Sequence, residues 1–476
     1  MNTNKLSLFL HLYFVRISLK DIYYYYLKSS DINIPVFIKT VSEHANYYYN
    51  FKEKVQDKYD KSHYIFNTRS LKISNTEVEM YVRKSVTGQY VLVVTSVLKN
   101  SIIFKERLAY WITRLKFNRE VYDIYFEKFS QGASESGFEL FKHGVEIDKN
   151  SIYILDSSNP QYRALKNRYP HNLFAKNSFK SFCYIFLARS FISSDLVSHI
   201  QRRLYDNDKK LKKKILQINK KIFLQHGVSL ATNLFERGYY NKKVPIAPDY
   251  IIVNSQFERN LFMDNSVYKE KELILTGLPN LDLYVRSRSM TKDEITFLLT
   301  WRPWDLTGEV KQGSYIYRYL KFIELMKENK FYSNKKVNVI LHPKAKLILK
   351  EQFEDLYNQN SHLFYEGDIK DALTKSKVLI SDYSSVTYMA FSGGTNIVFY
   401  WEDKSVCEKE YGSKNILQEN IAFGDVVYDF DHLHPVIESN YHSEQKETHC
   451  KTFNQLVECS QGKNTVNTYK AISNIL

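Results

Sequence analysis

Short runs of aromatic and β-branched residues, parted by polar breaks, mark the first hundred positions of the chain. The runs 6–17, 34–40, 78–83 and 90–96 hold no helical period and predict a small β-rich domain over residues 1–100. Leu6, Leu8, Leu10 and Leu12 alternate as in a strand. Arg16 stands where a cleaved leader would have small residues, so this run reads as structure and not as a signal peptide. The tyrosine patches at 23–26 and 47–49 could stack bases, but they read more simply as strand residues.

Near residue 100 the pattern changes to strands alternating with helices. Residues 111–143 carry helical spacing, with Phe126, Phe129, Ala133, Leu140 and Phe141 on one apolar face. A strand follows at 152–156, then helices at 161–167 and near 179–188, then strands at 222–225, 251–254 and 273–276. A polar stretch, 285–293, separates these from a second set of strands at 295–301, 336–341, 378–381 and 397–400. Repeated βα units predict parallel sheets covered by helices. Two such sets predict an α/β protein with two Rossmann-like domains, 101–288 and 289–476, facing across a cleft, the second ending in a helical tail.

Composition narrows the partners. The 476 residues are 44% hydrophobic and 25% charged, which sets aside disorder, collagen-like repeats and disulfide scaffolds. Cys183, Cys407, Cys450 and Cys459 are scattered, so a reduced, cytoplasmic compartment is expected. No apolar run approaches the roughly 18 residues of a membrane span. The net charge of +15 points to a polyanion: nucleic acid, anionic lipid or a phosphate-rich substrate. Lys209, Lys210, Lys212, Lys213, Lys214, Lys220 and Lys221 form a basic run that fits an anionic surface or a solvated helix.

Ligands of open α/β sheets bind beyond the carboxyl ends of strands, and unusual residues gather there. His226 and Gly227 follow one strand, His342 another, and Thr300 and Arg302 a third. Gly277 sits in a Gly-Leu-Pro turn, and Ser384 and Ser385 precede a helical segment after Asp382. Each has a plainer reading: a histidine as a cap, the serines as N-caps, Arg302 paired with Asp305. Together they suit a phosphate-bearing ligand. Hydroxyls at a helix start and a planar guanidinium bind phosphate oxygens. A histidine neutral near pH 7 takes a proton from an attacking alcohol, and a second one stabilises charge on a leaving phosphate. This is equipment for transfer from a nucleotide donor to an alcohol.

P-loop, dinucleotide and G-x-S-x-G motifs are absent. Asp429 and Asp431, with His432 and His434 beside them, do not complete a zinc site, so no metal is expected. The ordered set Gln225-His226-Gly227, Thr276-Gly277-Leu278-Pro279, Thr300-Trp301-Arg302, Leu341-His342-Pro343 and Ser381-Asp382-Tyr383-Ser384-Ser385 resembles the CDP-glycerol glycerophosphotransferase family. These are teichoic-acid and capsule polyol-phosphate polymerases and primases; the stretch 125–142 also resembles the start of their acceptor domain, and the likeness covers roughly residues 105–440. It departs at Val228-Ser229-Leu230-Ala231, at Leu299, and after Tyr400.

The resemblance implies a GT-B-type fold, with the first Rossmann-like domain on the acceptor side and the second binding the CDP-polyol. It implies transfer of glycerol-phosphate or ribitol-phosphate from CDP-glycerol or CDP-ribitol to a lipid-linked anionic polymer, with CMP released. The CDP-polyol is a substrate, and no separate cofactor is implied. His226 matches the base and His342 the second essential histidine. Arg302, Ser384 and Ser385 match donor phosphate-binding positions, Asp382 an orienting one, and Gly227, Gly277 and Thr300 fall in the same motifs. The expected seat is cytoplasmic, peripheral on the inner face of the membrane, with no nucleic-acid partner; the oligomeric state is not legible. The rivals are a GT-B glycosyltransferase using a nucleotide sugar and, more distantly, a basic nucleic-acid-binding protein.

Overall fold

The computed structural model describes residues 18–29, 33–41, 46–50, 64–67, 71–73, 76–84, 90–115, 121–202, 204, 209–236, 240–244, 246–302 and 313–476. The chain divides into two compact units, 1–104 and 105–476.

The first unit holds strands β1 (Asn33–Pro35), β2 (Phe37–Val41), β3 (Asn46–Asn50), β4 (Tyr64–Asn67), β5 (Leu71–Ile73), β6 (Thr76–Lys84) and β7 (Tyr90–Ser96). β2 and β3 form an antiparallel pair, and the others a five-stranded antiparallel sheet ordered β1-β7-β6-β4 with β5 on β6. Period-two alternation buries Val78, Met80, Leu92 and Val94, and helix Leu19–Ser29 lays Ile22 and Tyr23 onto them. The tyrosines at 23–26 thus stand on a helix, a correction: Leu19, Ile22 and Tyr23 follow the i, i+3, i+4 rule. Those at 47–49 lie in β3 as expected. The alternation at 6–17 lies outside the described residues.

The second unit contains two parallel sheets. β8 (Tyr122–Phe126), β9 (Ser151–Leu155), β10 (Leu173–Ala175), β11 (Ala188–Ser193), β12 (Lys221–Phe223), β13 (Tyr250–Val253) and β14 (Leu273–Leu275) are ordered β10-β9-β8-β11-β12-β13-β14. β15 (Glu294–Phe297), β16 (Val337–Val339), β17 (Ser376–Ser381), β18 (Asn396–Tyr400) and β19 (Asp425–Val427) are ordered β16-β15-β17-β18-β19. Parallel strands are covered on both faces, so they read as apolar runs, and β9, β17 and β18 are buried nearly throughout.

The single helical face at 111–143 does not form. Helix Asn100–Leu115 ends, β8 crosses the sheet, a tight turn spans Lys128–Ser130, and a new helix runs Ser136–Ile147. Phe126 is a buried strand residue, and only Leu140 and Phe141 of that set keep a helical, core-facing place. Strands β10, β11 and β19 were not among those the pattern marks.

After the second sheet, the last two helices return to the first. Helix Glu447–Leu456 packs on helix Gln256–Ser266, and Asn464–Ser473 packs on Ser136–Ile147 and on Leu281–Arg286. Asp282 anchors the final helix by accepting the N–H groups of Asn464 (3.0 Å) and Thr465 (2.8 Å). The helical tail therefore belongs to the packing of the first sheet. Among the described residues no helix is long and apolar enough to cross a membrane, and the four cysteines form no disulfide with one another.

Candidate functional site

The carboxyl ends of the two sheets meet at a cavity of about 310 Å³. His226, Gly227, Val228, Ser229 and Tyr240 line it from the first sheet's side, and Thr300, Tyr383, Ser384 and Ser385 from the second's. The two layers touch here. Tyr388 donates to the Leu230 carbonyl (3.1 Å), and the Leu417 N–H to that of Ala231 (3.1 Å). A Cβ on Gly227 would lie 2.8 Å from Ser385 Oγ and 3.1 Å from Met389 Cε, so any side chain here would have to push Ser385 and Met389 aside.

His226 is aimed by strained backbone. Gln225, buried after β12, takes φ +57° and is held by its amide Nε2, which donates to the Ile252 carbonyl (2.6 Å) and Glu258 (3.2 Å). The half-exposed ring of His226 then stands between two carboxylates. Nδ1 lies 3.5 Å from Glu135 Oε2, and Nε2 lies 3.5 Å from Asp195 Oδ1. Burial pushes the imidazole down, but Asp195 and Glu135 outweigh it and raise it to about 9. The resting ring therefore favours the imidazolium at pH 7, not the neutral form expected from sequence.

Asp195 and His199 went unmarked in the sequence, and Glu135, although inside the 125–142 stretch, was not singled out as a site residue. Asp195 follows β11 and faces His199 Nδ1 at 2.9 Å. Burial pushes its carboxyl up, yet the two histidines hold it well below the usual range. Glu135 accepts from Ser194 Oγ at 2.6 Å. Behind it, buried Glu127 accepts the N–H groups of Ser134 (2.8 Å), Glu135 (2.7 Å) and Phe138 (2.9 Å), shaping the loop before helix Ser136–Ile147. Burial and the charge of Glu135 push Glu127 up to about 8 against those donors.

On the opposite wall, Thr300 Oγ1 and the Tyr383 hydroxyl are buried without a hydrogen-bond partner. Tyr383 stacks on Trp401 with ring centroids 5.6 Å apart. Ser384 and Ser385, both partly exposed, line the cavity beside them, and Ser384 Oγ accepts the Val386 N–H at 3.5 Å. Helix Val386–Ser392 has only seven residues, so its dipole contributes little to this anion site.

Arg302, expected as a phosphate ligand, is not among the residues that line the cavity. It is almost fully buried, and its guanidinium is already occupied. Nη2 donates to Asp382 (2.7 Å) and Asp403 (3.1 Å), Nε to Asp403 (2.9 Å), and Nη1 to the Thr300 carbonyl (3.0 Å). Arg318, also buried, meets Asp403 at 3.1 Å. Asp382 in turn accepts the N–H groups of Thr300 (2.9 Å) and Tyr383 (2.6 Å). The network fixes the cavity wall instead of presenting charge to a ligand. The sequence-stated partner Asp305 lies outside the described residues.

Gly277 is also absent from the cavity lining and lies beneath the final helix. With φ +76°, its missing Cβ makes room for Cys459 Cβ at 2.4 Å and Asn464 Nδ2 at 2.5 Å. Its carbonyl accepts from Thr468 Oγ1 (3.2 Å), so this turn docks a helix. His342 follows β16 and does not line the cavity. Its N–H donates to Tyr315 Oη (3.1 Å), and its ring stacks on Trp301, centroids 5.4 Å apart. That contact joins it to the loop carrying Thr300 and Arg302.

Two facing Rossmann-like layers with polar strand ends between them form a GT-B-type fold. A family model described as CDP-Glycerol:Poly(glycerophosphate) glycerophosphotransferase matches residues 108–474, and the chain belongs to that family. The structure is similar to that of the wall teichoic acid polymerase TagF, with 13% identity and a TM-score of 0.55 over 79% of this chain and 94% of that one. A variant of the same polymerase soaked with CDPG matches with 13% identity and a TM-score of 0.53, over 79% of this chain and 93% of that one. The chain is also similar to the minor teichoic acid biosynthesis protein GgaB of Bacillus subtilis (strain 168), 25% identical over 234 residues. That match covers 44% of this chain and 24% of GgaB, so the chain spans about a quarter of that relative.

Proposed function

We propose that this protein moves glycerol-phosphate or ribitol-phosphate from a CDP-polyol to a hydroxyl of a growing teichoic-acid-like or capsular polymer, releasing CMP. The observation that carries this reading is the cavity where His226 from one layer meets the unpaired hydroxyls of Thr300 and Tyr383 from the other. Family membership supports the donor class. The acceptor oxygen attacks the polyol-side phosphorus in line. The new O–P bond forms as the bond to the CMP oxygen breaks, and the acceptor proton passes to His226. CMP leaves with the bonding electron pair, and no covalent enzyme intermediate is formed.

Thr300, Tyr383, Ser384 and Ser385 donate hydrogen bonds to the donor phosphates, and His342 assists at the diphosphate. Arg302 and Asp382 act indirectly, by holding those donors in register. Supplying CDP-glycerol, CDP-ribitol and a panel of nucleotide sugars tests the reading. CMP from a CDP-polyol is expected, whereas a nucleoside diphosphate from a nucleotide sugar would favour the glycosyltransferase rival.

The acceptor is proposed to be lipid-linked, reached from the inner face of the membrane. Helix Lys209–Gln217 turns Leu211, Lys214 and Ile215 inward. Lys221 is also drawn in, to Asp249 at 2.7 Å. Lys209, Lys210, Lys212 and Lys213 remain on the outer side. Lys210 Nζ sits 5.7 Å from the Tyr110 ring, beside a helix that exposes Leu108, Trp111 and Leu115. Basic and apolar side chains together suit an anionic leaflet. At about 1 kcal/mol per lysine near such a surface, changing these four to glutamate should weaken binding to anionic vesicles by at least about 10²-fold. Binding to neutral vesicles should barely change. Unaltered sedimentation with anionic vesicles would refute this seat.

A further inference from the structure

The surroundings of His226 differ between its two ring nitrogens. Asp195, facing Nε2, is buried and fully engaged. Oδ1 accepts the Leu196 N–H (2.8 Å) and faces His199 Nδ1 (2.9 Å), while Oδ2 accepts the Phe129 N–H (3.3 Å). The Phe129 ring packs on His199 with centroids 4.6 Å apart. Phe129 and Ser130 hold consecutive left-handed conformations, φ 52° and 54°, a costly pair for non-glycine residues. They are pinned by the Ser130 N–H donating to the Glu127 carbonyl (2.7 Å) and the Asp156 N–H to the Ser130 carbonyl (2.6 Å). Such strain persists only where the surroundings enforce it, so the Asp195 wall is rigid.

Glu135, facing Nδ1, is a different kind of neighbour. About a third of its side chain is exposed, and besides His226 its carboxylate meets Ser194 Oγ. It can turn towards an incoming group.

We infer that Asp195, braced by His199, is a positioning residue that holds His226 through Nε2, that Nδ1 takes the acceptor's proton, and that Glu135 is a further catalytic residue that seats the acceptor hydroxyl at Nδ1. The inference rests on the reading of His226 as the base. In the step, the acceptor O–H bond breaks as the O–P bond forms, and its proton becomes the Nδ1–H of the imidazolium. That cation then lies between two carboxylates, the arrangement of the resting ring. The resting geometry is thus the state after proton transfer, and the proton must leave before the next turnover. Glu127 and His199 stand behind the two carboxylates, and Tyr240 and Tyr383 are the other titratable groups around the cavity.

The test is the pH dependence of CMP release, kcat/KM being measured for the wild type, Asp195→Asn, Glu135→Gln and His199→Gln. The wild-type rate should climb with pH to an alkaline midpoint, because only the neutral ring accepts a proton. Asp195→Asn should lower kcat by at least about 10²-fold and move that midpoint to lower pH. Glu135→Gln should also move the midpoint down, but chiefly raise KM for the acceptor while sparing KM for the CDP-polyol. Because Asp195 is buried, His199→Gln provides a second route: a fall in kcat with KM unchanged supports the bracing role. Unshifted midpoints and unchanged acceptor KM, with His226→Ala inactive, would overturn this inference and leave the base assignment standing. An active His226→Ala would overturn both.

Discussion

Replacing His226 with alanine is expected to slow CMP release from CDP-glycerol by about 10²–10⁴-fold, the range that a positioned general base contributes. The fold should survive. The ring is half exposed, it fills a cavity wall and not a core, and the strained Gln225 turn before it is held by its own side-chain bonds to Ile252 and Glu258. Losing the imidazole leaves Glu135 facing solvent, while Asp195 keeps His199 as its partner. Thermal unfolding should therefore shift little while turnover collapses. Near-wild-type turnover would remove His226 from the reaction.

Arg302→Ala should do the reverse and damage the fold first. Removing one partner of a buried ion pair typically costs about 3–5 kcal/mol, because the remaining charge is left without compensation. Here two carboxylates are involved. Asp382 loses its only cationic contact among the described residues, and Asp403 keeps Arg318 alone. The Thr300 loop is released as well, since Arg302 bonds its carbonyl. Arg302→Lys should recover little, because an ammonium cannot reproduce the forked contacts. Urea unfolding is the measurement. A large fall in unfolding free energy is expected, whereas unchanged stability with a raised KM for the CDP-polyol would return Arg302 to the role of a phosphate ligand.

These two residues also show what the sequence could reveal. His226 was visible because a histidine and glycine after a short apolar run is a strand-end signal, whatever surrounds it. Strands β15 to β18 of the second sheet were visible for the same reason, as buried parallel strands form apolar runs, whereas β19 was not. β8 was masked by its neighbours: Phe126, Phe129 and Leu140 happen to fall at helical spacing although a strand, a turn and a helix carry them. β11 reads Ala-Arg-Ser-Phe-Ile-Ser, too polar to stand out.

Residue type alone could not separate ligand contact from internal packing. Arg302 and Gly277 have the right chemistry and spacing for a phosphate site, but tertiary partners from distant segments use them otherwise. The Thr276–Pro279 turn, residues 276–279, serves a helix nearly two hundred positions later in the chain. The pairing of Glu135 with His226 was not legible for the complementary reason. Glu135 lies 91 positions before His226, and nothing local to either residue announces the meeting.

In the proposed reaction each turnover moves one polyol-phosphate and frees one CMP. The most direct measurement is to incubate the full chain with CDP-glycerol and a defined hydroxyl-bearing oligomer of glycerol-phosphate, following oligomer mass and CMP together. The oligomer should grow by whole glycerol-phosphate units, one for each CMP released. CMP release without oligomer growth, or growth only by sugar units from a nucleotide sugar, would contradict the proposed reaction.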